Sequence, residues 1–171
     1  MESKKSTNFD FILKTSSESY YDLLKNAEKA WETHAALTYI ALRMVVEDLL
    51  IKLEEKYEIK RDKEANFKNT LNNLKEYVPS WIIEYGEYIR IKGEKSANKE
   101  IDSNLEENST LLALKKVHEI LIWYLKNVTK EMSLEADYSF ITPESIKESE
   151  CDLAIDKKVL ENKEKFKIGR A

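Results

Sequence analysis

Residues 37–53 read LTYIALRMVVEDLLIKL, and this stretch decides the fold. Leu37, Ile40, Ala41, Met44, Val45, Leu49 and Leu53 recur in steps of three and four. That spacing predicts a helix from about Thr33 to Tyr57 with one apolar stripe. Val46, Leu50 and Ile51 widen the stripe until most of the circumference is apolar. A helix of that kind is covered on more than one side, so the rest of the chain is expected to pack around it.

Working outward, Thr15-Ser16-Ser17-Glu18 has capping-box spacing and Tyr20, Leu23, Leu24, Ala27 and Trp31 follow at helical intervals. This predicts a first helix of about four turns. Beyond the second helix, Lys60 to Glu64 reads as a charged turn. A third helix spans roughly Ala65 to Tyr77, with Phe67, Leu71, Leu74 and Val78 inward, until Pro79 interrupts it. Ser80 opens a fourth helix burying Trp81, Ile82, Tyr85, Tyr88 and Ile89, and Gly93 fits a C′ glycine that ends it. Glu94 to Glu107 is polar and mixed in charge and reads as a loop or a frayed helix start. Ser109 or Thr110 then caps a fifth helix reaching about Met132, striped by Leu111, Leu114, Val117, Leu121, Tyr124, Leu125 and Val128. Thr142-Pro143-Glu144 is a helix start. The residues after it are mostly charged, and Leu153, Val159, Leu160 and Phe166 are too few to hold a helix alone. The expectation is an all-α, five-helix bundle over 8–132, followed by a linker and a charged, helix-prone tail over 133–171.

Composition agrees and narrows the chemistry. Three Gly and two Pro in 171 residues are too few for folds built on tight turns and glycine-rich loops. Gly86, Gly93 and Gly169 build neither a P-loop nor a dinucleotide fingerprint. Cys151, His34 and His118 supply three ligands where an all-N/S zinc site needs four, and a lone cysteine forms no disulfide framework; neither metal nor cofactor is expected. Cys151 lies among Glu148, Glu150 and Asp152, which raise a thiol pKa and disfavour a nucleophile. Arg43 interrupts the longest apolar run far short of the ~18–20 residues a bilayer requires. Met1-Glu2-Ser3-Lys4-Lys5 leads only into the short patch Phe9 to Leu13, too little for a signal peptide. Cytoplasmic residence without a membrane partner is expected. The net charge of −4 disfavours binding driven by counterion release from DNA.

Residues 88–99 read YIRIKGEKSANK. The segment resembles the signature of one branch of the HEPN superfamily, an uncharacterised bacterial helical domain often fused to the N-terminus of type I restriction-enzyme helicase subunits and related defence proteins. In that branch a fourth helix ends in arginine, two variable residues, Gly-Asn, a small-residue stretch and histidine. Arg90, Gly93 and Ala97 fall at matching positions. Asn8-Phe9-Asp10-Phe11, the pair Ala27-Glu28, and Arg43 with Glu47 are further landmarks in the same order, so the resemblance spans about Asn8 to Lys130.

In catalytic relatives, the resemblance implies, arginine and histidine from paired protomers cleave RNA without a metal. The arginine holds phosphate and the histidine carries the proton. Here Glu94 replaces the asparagine and Asn98 replaces the histidine. An amide cannot serve as acid or base near neutral pH, and losing such a group removes ~10²–10⁴ in rate. Glu94 also repels phosphate. The resemblance thus implies a degenerate site with Arg90, Lys92, Gly93, Glu94, Lys95 and Asn98 as the RNA- or phosphate-facing candidates.

Each candidate also has a plainer reading. Arg90 suits a helix C-terminus, and Lys92, Lys95 and Lys99 are offset by nearby Asp102, Glu106 and Glu107. Arg43 and Glu47 are an i,i+4 structural pair. His118, between Val117 and Ile120, reads as a helix-surface or interface histidine, and His34 as part of the second helix's first turn. Trp81 and Tyr85 read as packing groups that could line a dimer interface. Three functions follow: a non-enzymatic dimeric binding or regulatory module in bacterial anti-phage defence or restriction, with RNA, a nucleotide or a larger defence protein as ligand; a weak metal-independent endoribonuclease using Arg90; or a helical protein-interaction scaffold.

Overall fold

In the computed structural model, residues 5–98 and 107–146 are described, and all structural statements below concern these. Their regular structure is helical: α1 Tyr21–Lys29, α2 Ala35–Lys56, α3 Phe67–Leu74, α4 Ser80–Ala97 and α5 Glu107–Trp123, the last continued by a π-helical turn over Tyr124–Val128. Two short 3₁₀ turns, Asp10–Ile12 and Glu18–Tyr20, precede α1. No strand occurs among the described residues. The chain is all-α. No helix among the described residues is long and apolar enough to cross a membrane.

Helix α2 is the axis of the bundle, packed against α1, α3, α4 and α5, most extensively against α4. Leu42, Val46 and Leu50 are fully buried, and Val45, Leu49 and Leu53 nearly so. The inward side also includes Tyr39 and Thr38, whose hydroxyl donates to the Ala27 carbonyl at 2.7 Å. The expected stripe was wrong in phase at its N-terminal half: Leu37 and Met44 are each 58% exposed, while Tyr39 and Leu42 take the core. A helix apolar on nearly every side has no unique face in sequence, and the neighbours choose.

Helices α2 and α4 run antiparallel, with Gly86 at Leu50 and Gly93 at Arg43. A Cβ at Gly93 would lie 2.5 Å from Arg43 Cδ and 2.7 Å from its Cβ. This corrects the C′ assignment: Gly93 is buried inside α4, its φ is not positive, and the helix continues to Ala97. The residue is small because α2 passes over it.

Helix α1 is shorter than expected, because Thr15 does not build a capping box. Its hydroxyl accepts from Ser17 N at 3.1 Å and donates to the Ile12 carbonyl, so the chain enters through a 3₁₀ turn. Helix α5 starts at Glu107, before the expected caps; Thr110 is already inside it and donates to Tyr39 Oη at 3.3 Å. Helix α3 is shorter at both ends than the expected Ala65 to Tyr77, opened by a reciprocal capping box of Asn66 and Asn69; its inward residues Phe67, Leu71 and Leu74 are buried as expected, and Val78 is buried just beyond it. Residues 143–146 are helical after Thr142, as the Thr-Pro-Glu start predicts. The polar stretch 99–106, Cys151 and the tail from 147 lie outside the described residues.

Candidate functional site

Arg90 lies on α4 between the two glycines that admit α2, and its side chain is 13% exposed. Its guanidinium is bonded within its own helix. Nε donates to Glu87 Oε2 at 2.9 Å, Nη2 to Glu87 Oε1 at 2.5 Å, and Nη1 to Glu94 Oε2 at 3.1 Å. Three of the five N–H donors of a guanidinium are thereby engaged. The bond from Arg90 holds the Glu87 carboxyl below its usual range, and Glu87 in turn raises the arginine further above neutrality. A phosphate approaching this group would meet two carboxylates that already hold three of its five donors.

Glu94 is therefore one of Arg90's own partners. Gly93 serves the passage of Arg43, whose stem crosses it. The Arg43 guanidinium sits 5.9 Å from the Phe67 ring centroid, and its Nη2 lies 3.9 Å from Glu47, with both side chains 33% exposed. Lys92 lies over the rings of Tyr39 and Tyr88, 5.9 Å from each centroid. Lys95 and Asn98 are exposed, Asn98 closing the helix with its N–H on the Glu94 carbonyl at 3.1 Å. Asn98 lies eight helical steps beyond Arg90, about 12 Å along the axis and about 80° around it. Of the six candidate residues, the structure joins Arg90 and Glu94 by a side-chain bond. Gly93 it assigns to packing.

The other landmarks also meet. Asn8 N donates to Glu28 Oε1 at 3.2 Å, and Asn8 Nδ2 reaches Glu28 Oε2 at 3.0 Å and the Ile141 carbonyl at 2.7 Å. Ile141 N returns to Asn8 Oδ1 at 2.8 Å. The N-terminal segment, α1 and the segment after α5 are thus clasped through one asparagine. Burial pushes the Glu28 carboxyl up, opposed by its bonds from Asn8 and Thr7. Beside it is a cleft of about 240 Å³ lined by Ser6, Glu28, Lys29, Trp31, Glu32, Pro143 and Ile146.

His118 is a correction to the surface reading. It is 2% exposed, boxed edge-on by Phe9, Phe11 and Phe140, with ring centroids at 5.9, 5.1 and 5.5 Å. Burial, reinforced by Lys5, lowers its pKa to about 4, and a bond with the Asn8 backbone acts weakly the other way. Its Nε2 is buried without a hydrogen-bond partner. The imidazole is neutral and enclosed at ordinary pH, a core group of α5. The covering rings come from distant parts of the chain, so the local sequence could not show it.

His34 is exposed at the N-cap of α2, with Nδ1 3.0 Å from Thr33 Oγ1. Trp81 packs edge-on against Tyr85 and Trp123, at 5.2 and 6.5 Å, within the α4–α5 seam of the same chain. Glu54, unnoticed in the sequence, is 2% exposed on α2; Arg61 approaches it at 3.6 Å and Asn73 Nδ2 donates to it at 3.2 Å. Among the described residues no three His, Cys, Asp or Glu side chains cluster closely enough to hold a metal ion. Compared with family profiles, curated proteins and solved structures, the chain matches none.

Proposed function

We propose that this chain is a catalytically degenerate HEPN-like domain, a cytoplasmic module that works as a homodimer and binds a larger protein of a bacterial defence or restriction system. The observation that carries this reading is the arginine tied on both sides by Glu87 and Glu94, with an amide at position 98 in place of a proton carrier. A ribonuclease needs a cation free to take phosphate and a group titrating near neutral pH. Here the cation is already bonded, and Asn98 is exposed two turns away. The landmark residues support the same reading: Asn8 with Glu28, and Arg43 with Gly93, hold elements together.

The test is cleavage of labelled single-stranded RNA by excess protein in chelator. The expected result is intact RNA for wild type, Arg90→Ala and Lys5→Ala alike. Cleavage lost in Arg90→Ala but kept in Lys5→Ala would establish the ribonuclease instead.

A further inference from the structure

We propose that the two chain segments flanking the bundle, 5–12 and 138–142, form a strap over His118 that lifts as one unit when the imidazole takes up a proton, while the five helices stay folded. The rings that cover His118 belong to these segments: Phe9 and Phe11 to the first, Phe140 to the second, all edge-on to the imidazole. The segments are also joined to each other. Lys5 Nζ donates to the Ser139 carbonyl at 2.7 Å, Asn8 exchanges two bonds with Ile141, and the Phe11 and Tyr138 ring centroids lie 5.4 Å apart. These bonds survive an opening only if the two segments move together. Phe9 and Ile12 are fully buried, so the strap is shut while the ring is neutral.

The proton matters because of what the cage lacks. A neutral imidazole has one N–H and one lone pair. The bond with the Asn8 backbone serves one side of the ring, and Nε2 is buried without a partner. A proton on the ring adds a positive charge and a second N–H donor, and the surrounding phenyl rings offer no acceptor lone pair. A buried charge without such a partner is costly, and lifting the strap brings water to it.

The charged groups around the ring were set by the same folding. From the first segment, Lys5 sets its cation against the incoming charge, and the Asp10 carboxylate is taken up by Ser6 N at 2.8 Å and Tyr21 Oη at 2.9 Å. From α1, Glu28 is occupied by Asn8; its carboxyl, pushed up by burial, keeps a proton better with the strap shut and opposes opening toward the acid end. The second segment contributes the Tyr138 phenol, stacked on Phe11. On α5 itself Lys115 is exposed and Glu119 is bonded to Tyr85. With the ring at its ordinary 6.5 when the strap is open and at about 4 when it is shut, going from pH 7.5 to pH 5.5 multiplies the opening equilibrium about 10-fold.

The experiment is hydrogen exchange read by mass spectrometry on the full chain at pH 7.5 and pH 5.5, each rate corrected for the pH dependence of chemical exchange. The expected result is that protection of 5–12 and 138–142 falls about 10-fold at the lower pH. About 0.5 M urea should leave exchange in the strap unchanged while α2, more protected at both pH values, exchanges faster, because local opening exposes little surface. In His118→Phe the strap should stay protected and the fall should vanish. Lys5→Gln, a change at the surface that removes the neighbouring cation, should leave a smaller fall than in wild type. Equal protection of the strap at both pH values overturns the proposal, and so does a fall that persists undiminished in His118→Phe and Lys5→Gln. A strap and α2 that exchange at one common, urea-dependent rate overturn it as well, since no separate opening then exists.

Discussion

Single residues here do structural work where the sequence also permits a chemical reading. Gly93 is the clearest case, because its missing Cβ is the space Arg43 occupies. Gly93→Ala gains helix propensity of about 1 kcal/mol but crowds Arg43 Cβ, an atom fixed to backbone, at an overpacking cost of about 1–3 kcal/mol. A net loss of about 1 kcal/mol is expected by urea unfolding. At Gly86 the near neighbour is the free end of Leu71 at 2.6 Å, so Gly86→Ala is expected to stay within about 0.5 kcal/mol of wild type. Equal destabilisation of both variants would refute this account of the α2–α4 contact.

His118 gives a pH dependence. Its folded pKa of about 4 lies below its ordinary 6.5, so above pH 6.5 it contributes nothing to the slope. Between pH 6.5 and 4 the unfolded chain binds a proton the native state refuses, and stability falls as pH falls, by about 3 kcal/mol in full. Glu28, whose pKa is raised, holds its proton longer in the native state and blunts the fall at the acid end. Denaturant titrations from pH 7 to 4 are expected to show a flatter slope in His118→Phe than in wild type. Parallel slopes would mean the ring is reached by solvent.

At the scale of elements, α2 should dominate stability. Leu49 is 1% exposed, so Leu49→Ala is expected to cost about 2–5 kcal/mol, whereas exposed Leu37→Ala should leave the isolated fold within about 0.5 kcal/mol of wild type. Helix α2 ends in a Schellman motif, Ile59 N on the Glu54 carbonyl at 2.9 Å and Glu58 N on Glu55 at 3.2 Å, with Glu58 at φ 56° where glycine is usual. Glu58→Gly should raise stability by about 0.5–1 kcal/mol, read as a higher melting temperature.

The helices were legible because apolar residues recur at helical steps, and α3 was legible to its inward residues, which lie on one narrow face. The phase of α2 was not, since Tyr39, Leu42 and Leu37 all suit a core and only the neighbours decide which enters it. The enclosure of His118 was not legible either: Phe9, Phe11 and Phe140 are more than twenty residues away in either direction. Arg90 and Glu94 stand four residues apart, but the sequence pointed to Glu94 as a group that repels phosphate, not as a partner of Arg90. That Glu87 joins them in committing the guanidinium depended on the side-chain arrangement.

For the whole molecule, the two chain segments flanking the bundle are clasped rather than loose. Lys5 Nζ donates to the Ser139 carbonyl at 2.7 Å, and Asn8 exchanges two bonds with Ile141. These bonds tie the N-terminal segment to the segment after α5 on one side of the bundle. The central claim is that Arg90's cation belongs to its own helix. Its most direct test is fluorescence anisotropy of labelled single-stranded RNA at low salt, with wild type and Arg90→Ala titrated side by side. The account predicts superimposable, weak curves for the two proteins, and tight binding by wild type that disappears in Arg90→Ala would contradict it.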